Sequence, residues 1–321
     1  MTWTIQPRSN FGALAAITGG SGPNVVLVHG VGLRAEAWGG QLQALAQNGR
    51  VIAVDMPGHG ESARLGDHPS LTDFTDAIAV ILTEPAVVIG HSFGAMIALD
   101  MAARHPDLVH GVAALNGIFQ RDTDARKTVL SRAASLDGKT PTDPTATLNR
   151  WFGSAPSAAR DACQEWLCGV DPAGYRDAYR VFANEDGPSD VTLRNLRCPA
   201  LFLTGQDEPN STPLMSQRMA ALAPKGAAIV LKGAAHMLPM THAALRLMLA
   251  SKKSRPMWVR SRNSPRTSSS MIARVGSSMR TTWSLSQRTP RLTWSRISGT
   301  NCRTDEILSE RFSVGWKWPA S

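Results

Sequence analysis

The sequence predicts an α/β fold, with a mostly parallel central sheet, flanking helices and an inserted helical cap. Three observations lead there. Short, near-continuously apolar runs rich in Val, Ile, Leu and Ala alternate with amphipathic helical patterns over residues 10–250, the signature of parallel strands covered by helices on both faces. The alternation is interrupted once, between Gly117 and Leu196, by helical patterning with no buried strand, as an insertion over a sheet edge requires. Hydrophobic content of 43% with 18% charged residues is enough to bury a full core and excludes a wholly disordered chain.

Taken in order, Gly12 to Thr18 reads as an antiparallel edge strand ahead of the parallel set. Val25 to His29, Arg50 to Asp55, Ala86 to His91, Leu108 to Leu115, Pro199 to Thr204 and Ala227 to Leu231 read as buried strands, being apolar over strand lengths. Helices are expected at Ala35 to Gln47, Ser70 to Thr83, Phe93 to Arg104, Pro213 to Ala223 and Pro239 to Ala250. Ser70 followed by Asp73 suits a helix cap, and Pro213 and Pro239 suit first-turn positions. The expected organisation is a core of residues 1–117 and 197–250, a cap of residues 118–196 and a tail of residues 251–321.

The net charge of +9 raises nucleic acid or an anionic membrane as partners, so its location matters. Residues 251–321 hold 14 Lys+Arg against 3 Asp+Glu, which leaves 20 against 22 in residues 1–250. The structured part is thus slightly acidic. Beyond Ala250 apolar periodicity is lost and Ser, Arg and Trp dominate. Basic residues with scattered indoles also suit a single-strand nucleic-acid arm, but text without pattern reads better as a frameshifted or disordered tail. No nucleic-acid or membrane partner is therefore expected. The four cysteines, Cys163, Cys168, Cys198 and Cys302, lack paired zinc spacings and read as reduced thiols. The N-terminus lacks a basic segment followed by an apolar run, so a cytoplasmic location is the expectation.

The chemistry is carried by Gly90-His91-Ser92-Phe93-Gly94, set between an apolar strand and a helix start. A G-x-S-x-G turn in that setting lifts the serine hydroxyl above the sheet, while glycines allow close approach of strand and helix. A serine hydroxyl is a weak nucleophile until an imidazole takes its proton, and the imidazole needs a carboxylate to hold it. Asp207, after the strand Pro199 to Thr204, and His236, after the strand Ala227 to Leu231, stand downstream at the carboxyl ends of strands, where open α/β sheets gather their sites. Glu208 is the neighbouring alternative to Asp207 and reads as a solvated loop charge; His242 is the rival base. No two of the eight histidines share a metal-ligand spacing, so neither metal nor cofactor is expected.

The chain resembles the α/β-hydrolase superfamily over about residues 10–250. The resemblance rests on Val28-His29-Gly30-Val31-Gly32, Asp55-Met56-Pro57-Gly58-His59-Gly60-Glu61-Ser62, Gly90 to Gly94, Leu203-Thr204-Gly205-Gln206-Asp207 and Gly233-Ala234-Ala235-His236. It implies a Ser92, Asp207 and His236 triad, and an oxyanion hole of the Val31 and Phe93 amides. Some relatives carry the acid after the strand that ends near Leu115, where this chain has Asn116 and Gly117. Relatives that are haloalkane dehalogenases or epoxide hydrolases place aspartate at the Ser92 position, so acyl transfer to serine is what remains.

Arg150-Trp151-Phe152, Asp171-Pro172-Ala173-Gly174-Tyr175 and Phe182-Ala183 are similar to the cap of 3-oxoadipate enol-lactonase-like hydrolases. His29, Gly30, His91 and Trp151 are the expected substrate-binding residues, although Trp151, Phe152 and Tyr175 also suit the interior of a cap. The expected reaction is hydrolysis of a small carboxylic ester or lactone. Carbon–carbon bond hydrolysis of ring-cleavage products and a catalytically weak binding protein are the alternatives.

Overall fold

The computed structural model describes residue 3 and residues 5–242 of the chain. The expected last helix beyond His242, the tail of residues 251–321 and Cys302 lie outside the described residues. Eight strands form one sheet: β1 (Ser9–Phe11), β2 (Leu14–Gly19), β3 (Asn24–Val28), β4 (Arg50–Val54), β5 (Ala86–His91), β6 (Val109–Leu115), β7 (Ala200–Gly205) and β8 (Gly226–Leu231), in the order β1-β2-β4-β3-β5-β6-β7-β8. β1 and β2 pair antiparallel, and β3 to β8 are mutually parallel.

The sequence order reverses at β3, which lies between β4 and β5. Crossovers leave this point in opposite directions, and a crevice opens at the carboxyl ends of the strands. Val28 pairs with Gly90, so the segments following β3 and β5 emerge side by side. That adjacency brings Gly30 and Val31 to Ser92.

Alternation along β3 explains the two layers. Val26 and Val28 pack with Phe74, Ile78, Phe93 and Met96 on one face, whereas Val25 and Leu27 pack with Trp38, Leu45 and Leu238 on the other, as the period of two in a strand demands. The first face is covered by α2 (Leu71–Ala79) and α3 (Phe93–Arg104), the second by α1 (Gly39–Ala46). Ser70 caps α2 reciprocally with Asp73, an arrangement worth about 1 kcal/mol.

Two expectations change. The helix expected from Ala35 divides into a 3-10 turn, Ala35–Trp38, and α1, because Gly39 and Gly40 lower helix propensity at the junction. β8 is only half-buried, with Val230 37% exposed; it is the last strand of the sheet and has a single strand neighbour among the described residues.

Between β6 and β7 the chain forms five helices: α4 (Thr123–Ser135), α5 (Thr145–Phe152), α6 (Ala158–Gly169), α7 (Pro172–Asn184) and α8 (Asp190–Arg194). Side-chain caps from Asp122, Ser157, Asp171 and Ser189 start four of them. Trp151, Trp166, Leu167 and Tyr175 join Leu33 and Met240 in a third apolar cluster, which fastens these helices over the carboxyl end of the sheet. After β7 follow α9 (Pro213–Leu222), β8 and a short α10 (Leu238–Thr241).

Candidate active site

Only Ser92 separates β5 from α3, and it turns the chain with φ 57° and ψ −117°. A non-glycine residue holds such a backbone only where its surroundings impose it, at a cost of about 1–3 kcal/mol. The surroundings here are tight. A Cβ on Gly90 would strike the carbonyl oxygen of Gly94, and one on Gly94 would strike that of Val28. The Ser92 amide donates to the Leu115 carbonyl at 2.9 Å, and its side chain does not cap α3. Ser92 and His236 line one cavity of about 360 Å³, together with Gly30, Val31, Asn116 and Trp151.

His236 follows β8 and is held from several sides. Its Nδ1 lies 2.9 Å from Glu208 Oε2. Its carbonyl oxygen accepts from His91 Nε2 at 2.8 Å and from Asn116 Nδ2 at 2.6 Å. The Trp151 indole stacks on the imidazole, with centroids 5.3 Å apart and planes 20° from parallel. Because an ionised carboxylate only accepts, Nδ1 carries the proton and Nε2 is left as the basic atom.

Glu208 is 2% exposed, and its Oε1 accepts the amides of Asn210 and Ser211 at 2.8 and 3.2 Å. Burial works against its ionisation, but His236 and these amides outweigh burial and bring the carboxyl down to about 2. The sequence expectation for the acid is thereby corrected: the structure brings Glu208, not Asp207, to His236. The amides of Gln206 and Asp207 donate to Leu231 and Ala234 on the neighbouring segment, which leaves the Asp207 side chain exposed. The next residue is turned inward.

Two of the expected substrate-binding histidines are also reassigned. His29 is fully buried; Nδ1 donates to the Gly30 carbonyl at 2.8 Å and Nε2 accepts the Met56 amide at 3.0 Å. His91, 1% exposed, spends Nε2 on the His236 carbonyl. Neither lines the cavity. Burial, joined for His91 by the neighbouring His236, lowers both imidazoles, His91 to about 3, so they are neutral positioning groups. Gly30 and Trp151 do line the cavity.

Phe93 is the first residue of α3, where an amide has no acceptor within the helix. Its ring is buried against Phe74 and Phe182. On the other strand end, the amides of Gly32 and Leu33 are occupied by His59 Nε2 and the Gly30 carbonyl, whereas Val31 borders the cavity. Val31 and Ser92, the residue before Phe93, thus border the same cavity.

A buried ionic cluster supports this loop layer. Arg8 reaches Glu36 Oε2 at 2.7 Å and Asp55 Oδ2 at 2.8 Å; Asp55 also accepts the amides of Ala35 and Glu61 at 2.8 and 3.0 Å. Burial opposes ionisation of both acids, and Arg8 outweighs it, so both lie below the ordinary carboxylate range. Arg8 precedes every motif that the sequence offers, and no spacing signals it. Arg121, Arg132 and Arg150 line the cavity; Arg121 and Arg132 carry no motif signal either, and Arg150 stands in the cap segment Arg150-Trp151-Phe152. Arg121 pairs with Asp186 at 3.0 Å.

Comparison with known proteins places the chain in a family and a fold. The model of the Alpha/beta hydrolase family matches residues 25–247. The chain is 41% identical over 233 residues to an (E)-2-((N-methylformamido)methylene)succinate hydrolase of Acinetobacter baylyi, covering 69% of this chain and 86% of that protein. It is similar in structure to a malate-bound thermophilic esterase of Thermogutta terrifontis, with a TM-score of 0.64, 26% identity and coverage of 71% and 87%. An enol-lactonase of Burkholderia xenovorans shares the fold, with a TM-score of 0.65, 21% identity and coverage of 74% and 96%.

Proposed function

Because the chain belongs to the Alpha/beta hydrolase family, we propose that it is a serine acyl hydrolase in which Ser92 is the nucleophile, His236 the general base and Glu208 the carboxylate that orients it. The observation that carries this reading is the contact of His236 Nδ1 with Glu208 Oε2 at 2.9 Å, on a histidine that shares a cavity with the strained Ser92.

The reaction follows from these groups. His236 Nε2 takes the Ser92 proton as Oγ adds to an acyl carbon, and the resulting imidazolium is stabilised by Glu208. The amides of Phe93 and Val31 receive the developing oxyanion; losing one such donor costs about 2.7–4 kcal/mol of barrier. The protonated His236 then delivers its proton to the leaving group. Water, activated by the same imidazole, releases the acid and restores Ser92.

A small acyl substrate fits the cavity of about 360 Å³. The names of two relatives point to small dicarboxylates: a hydrolase of a substituted succinate and an esterase with malate bound. We therefore favour an ester, lactone or amide of a small carboxylated acid over a long neutral ester.

A fluorophosphonate probe tests the chemistry. It is expected to label the intact protein and the Asp207→Asn variant, but not Ser92→Ala, with labelling sharply slowed in His236→Ala. Labelling that persists in Ser92→Ala, or no labelling of any form, overturns the assignment.

A further inference from the structure

The cavity around Ser92 and His236 holds more positive charge than it neutralises. Arg121, Arg132 and Arg150 line it, and neither Asp nor Glu does. Arg121 is fully engaged: Nη1 donates to the Glu185 carbonyl and to Asp186 Oδ1 at 3.0 Å, Nη2 donates to the Phe182 carbonyl at 2.9 Å, and the guanidinium lies 4.5 Å over the Phe182 ring. It is a structural cation.

Arg132 differs. Its Nη2 donates to the Tyr175 hydroxyl at 2.9 Å and its guanidinium lies 5.1 Å over the Tyr179 ring. Its Nε is buried with no hydrogen-bond partner. A guanidinium N–H taken from water and left without an acceptor is costly, and the cost is recovered when an anion arrives. Arg150, on the exposed rim beside Trp151, is the second open cation. Among the described residues neither Arg132 nor Arg150 forms an ion pair. The fields meet at Tyr179: burial raises its hydroxyl, and Arg132, Arg150 and Arg121 each oppose that rise. Two unneutralised cations and a cavity wall without carboxylates match a doubly charged anion, and a guanidinium fork matches a carboxylate in shape.

We propose that Arg132 and Arg150 form a carboxylate-binding subsite that selects small dicarboxylic acid derivatives, Arg132 binding one carboxylate inside the cavity and Arg150 the other at its rim. This rests on the serine hydrolase reading only in placing the acyl group at Ser92. The recognition itself is independent of turnover. Trp151 lies between the two functions, following Arg150 in the chain and stacking on His236, so that a bound anion sets the acyl carbon beside the imidazole.

Isothermal titration calorimetry on the full chain tests the subsite, with succinate, monomethyl succinate and dimethyl succinate as probes. Succinate is expected to bind more tightly than its monoester, and the neutral diester to bind least. Added salt weakens the first two and not the third. Arg132→Gln and Arg150→Gln are each expected to weaken succinate about tenfold or more, and Arg132→Lys to recover part of the loss. Circular dichroism checks that the variants are folded; if Arg132→Gln is not, Arg150→Gln at the rim carries the same test. Ser92→Ala is expected to bind succinate as the wild type does, which separates this subsite from the catalytic assignment: wild-type protein that binds succinate but takes no fluorophosphonate label removes only the catalytic assignment. Succinate binding no tighter than the diester, or unchanged in the glutamine variants, overturns the proposal.

Discussion

His236 Nδ1 lies 2.9 Å from Glu208 Oε2, on the carboxylate that follows an exposed Asp207 by a single residue. The pairing separates two acids that are adjacent in sequence and unlike in environment. Glu208→Gln is expected to lower kcat by about 10⁴-fold, because the amide favours the wrong histidine tautomer. Asp207→Asn changes it by about twofold at most, as a surface substitution does. Steady-state kinetics with p-nitrophenyl acetate checks both, and the reverse ranking returns the role to Asp207.

Acid stability follows from the same carboxylate. Glu208 is brought from its ordinary 4.5 down to about 2 in the folded protein. A depressed acid stabilises the fold fully above its unfolded value and loses that contribution as pH falls through the folded one. Between pH 4.5 and about 2, Glu208 thus adds up to about 1.4 kcal/mol of lost stability per pH unit. Urea unfolding across this window is expected to give a shallower pH slope for Glu208→Gln than for wild type.

The Arg8 cluster makes a stability prediction. Arg8→Met leaves Asp55, 0% exposed, without its cation, and Glu36, 1% exposed, with Arg34 alone. Stranding buried charges of this kind costs about 3–5 kcal/mol. Chemical denaturation reads the loss directly, and a change below about 1 kcal/mol would mean that the cluster behaves as a surface pair.

Trp151 stacks on His236 at 5.3 Å and lines the cavity. Trp151→Ala is expected to reduce kcat/KM by up to about tenfold, the equivalent of the 0.5–1.5 kcal/mol that such ring pairs supply. Trp151→Phe keeps a ring in place and loses less. Equal losses in the two variants would assign Trp151 to cap packing alone.

The turn at Ser92 is sterically closed. Gly90→Ala or Gly94→Ala drives a methyl into backbone carbonyls, and overpacking costs about 1–3 kcal/mol or more. A fall in the thermal midpoint of either variant checks this, with fluorophosphonate labelling falling in parallel because the turn carries Ser92.

The parallel strands, the elbow between β5 and α3 and the position of His236 were legible in the sequence because each is local: an apolar run, a glycine-flanked serine, a histidine after a strand. Short-range chemistry writes them. Which acid meets the imidazole was not local, since Asp207 and Glu208 differ only by hydrogen bonds that the following segment makes with β8 and its loop. The same holds for His29 and His91, whose motif positions suggest contact with substrate and whose Nε2 atoms meet backbone groups of distant segments, Met56 and His236. Arg8, Arg121 and Arg132 stand in no motif at all, and Arg150 stands only in a cap segment that gives it no role of its own. Arg8 gains its role when the segments after β3 and β4 bring Glu36 and Asp55 to it, and the three cap arginines when helices α4 to α7 come together around the cavity. Alternation and turn chemistry therefore specified the scaffold and the Ser92 turn, whereas burial and long-range hydrogen bonding, which depend on every segment at once, decided which carboxylate meets His236, the supporting ions and the charge of the pocket.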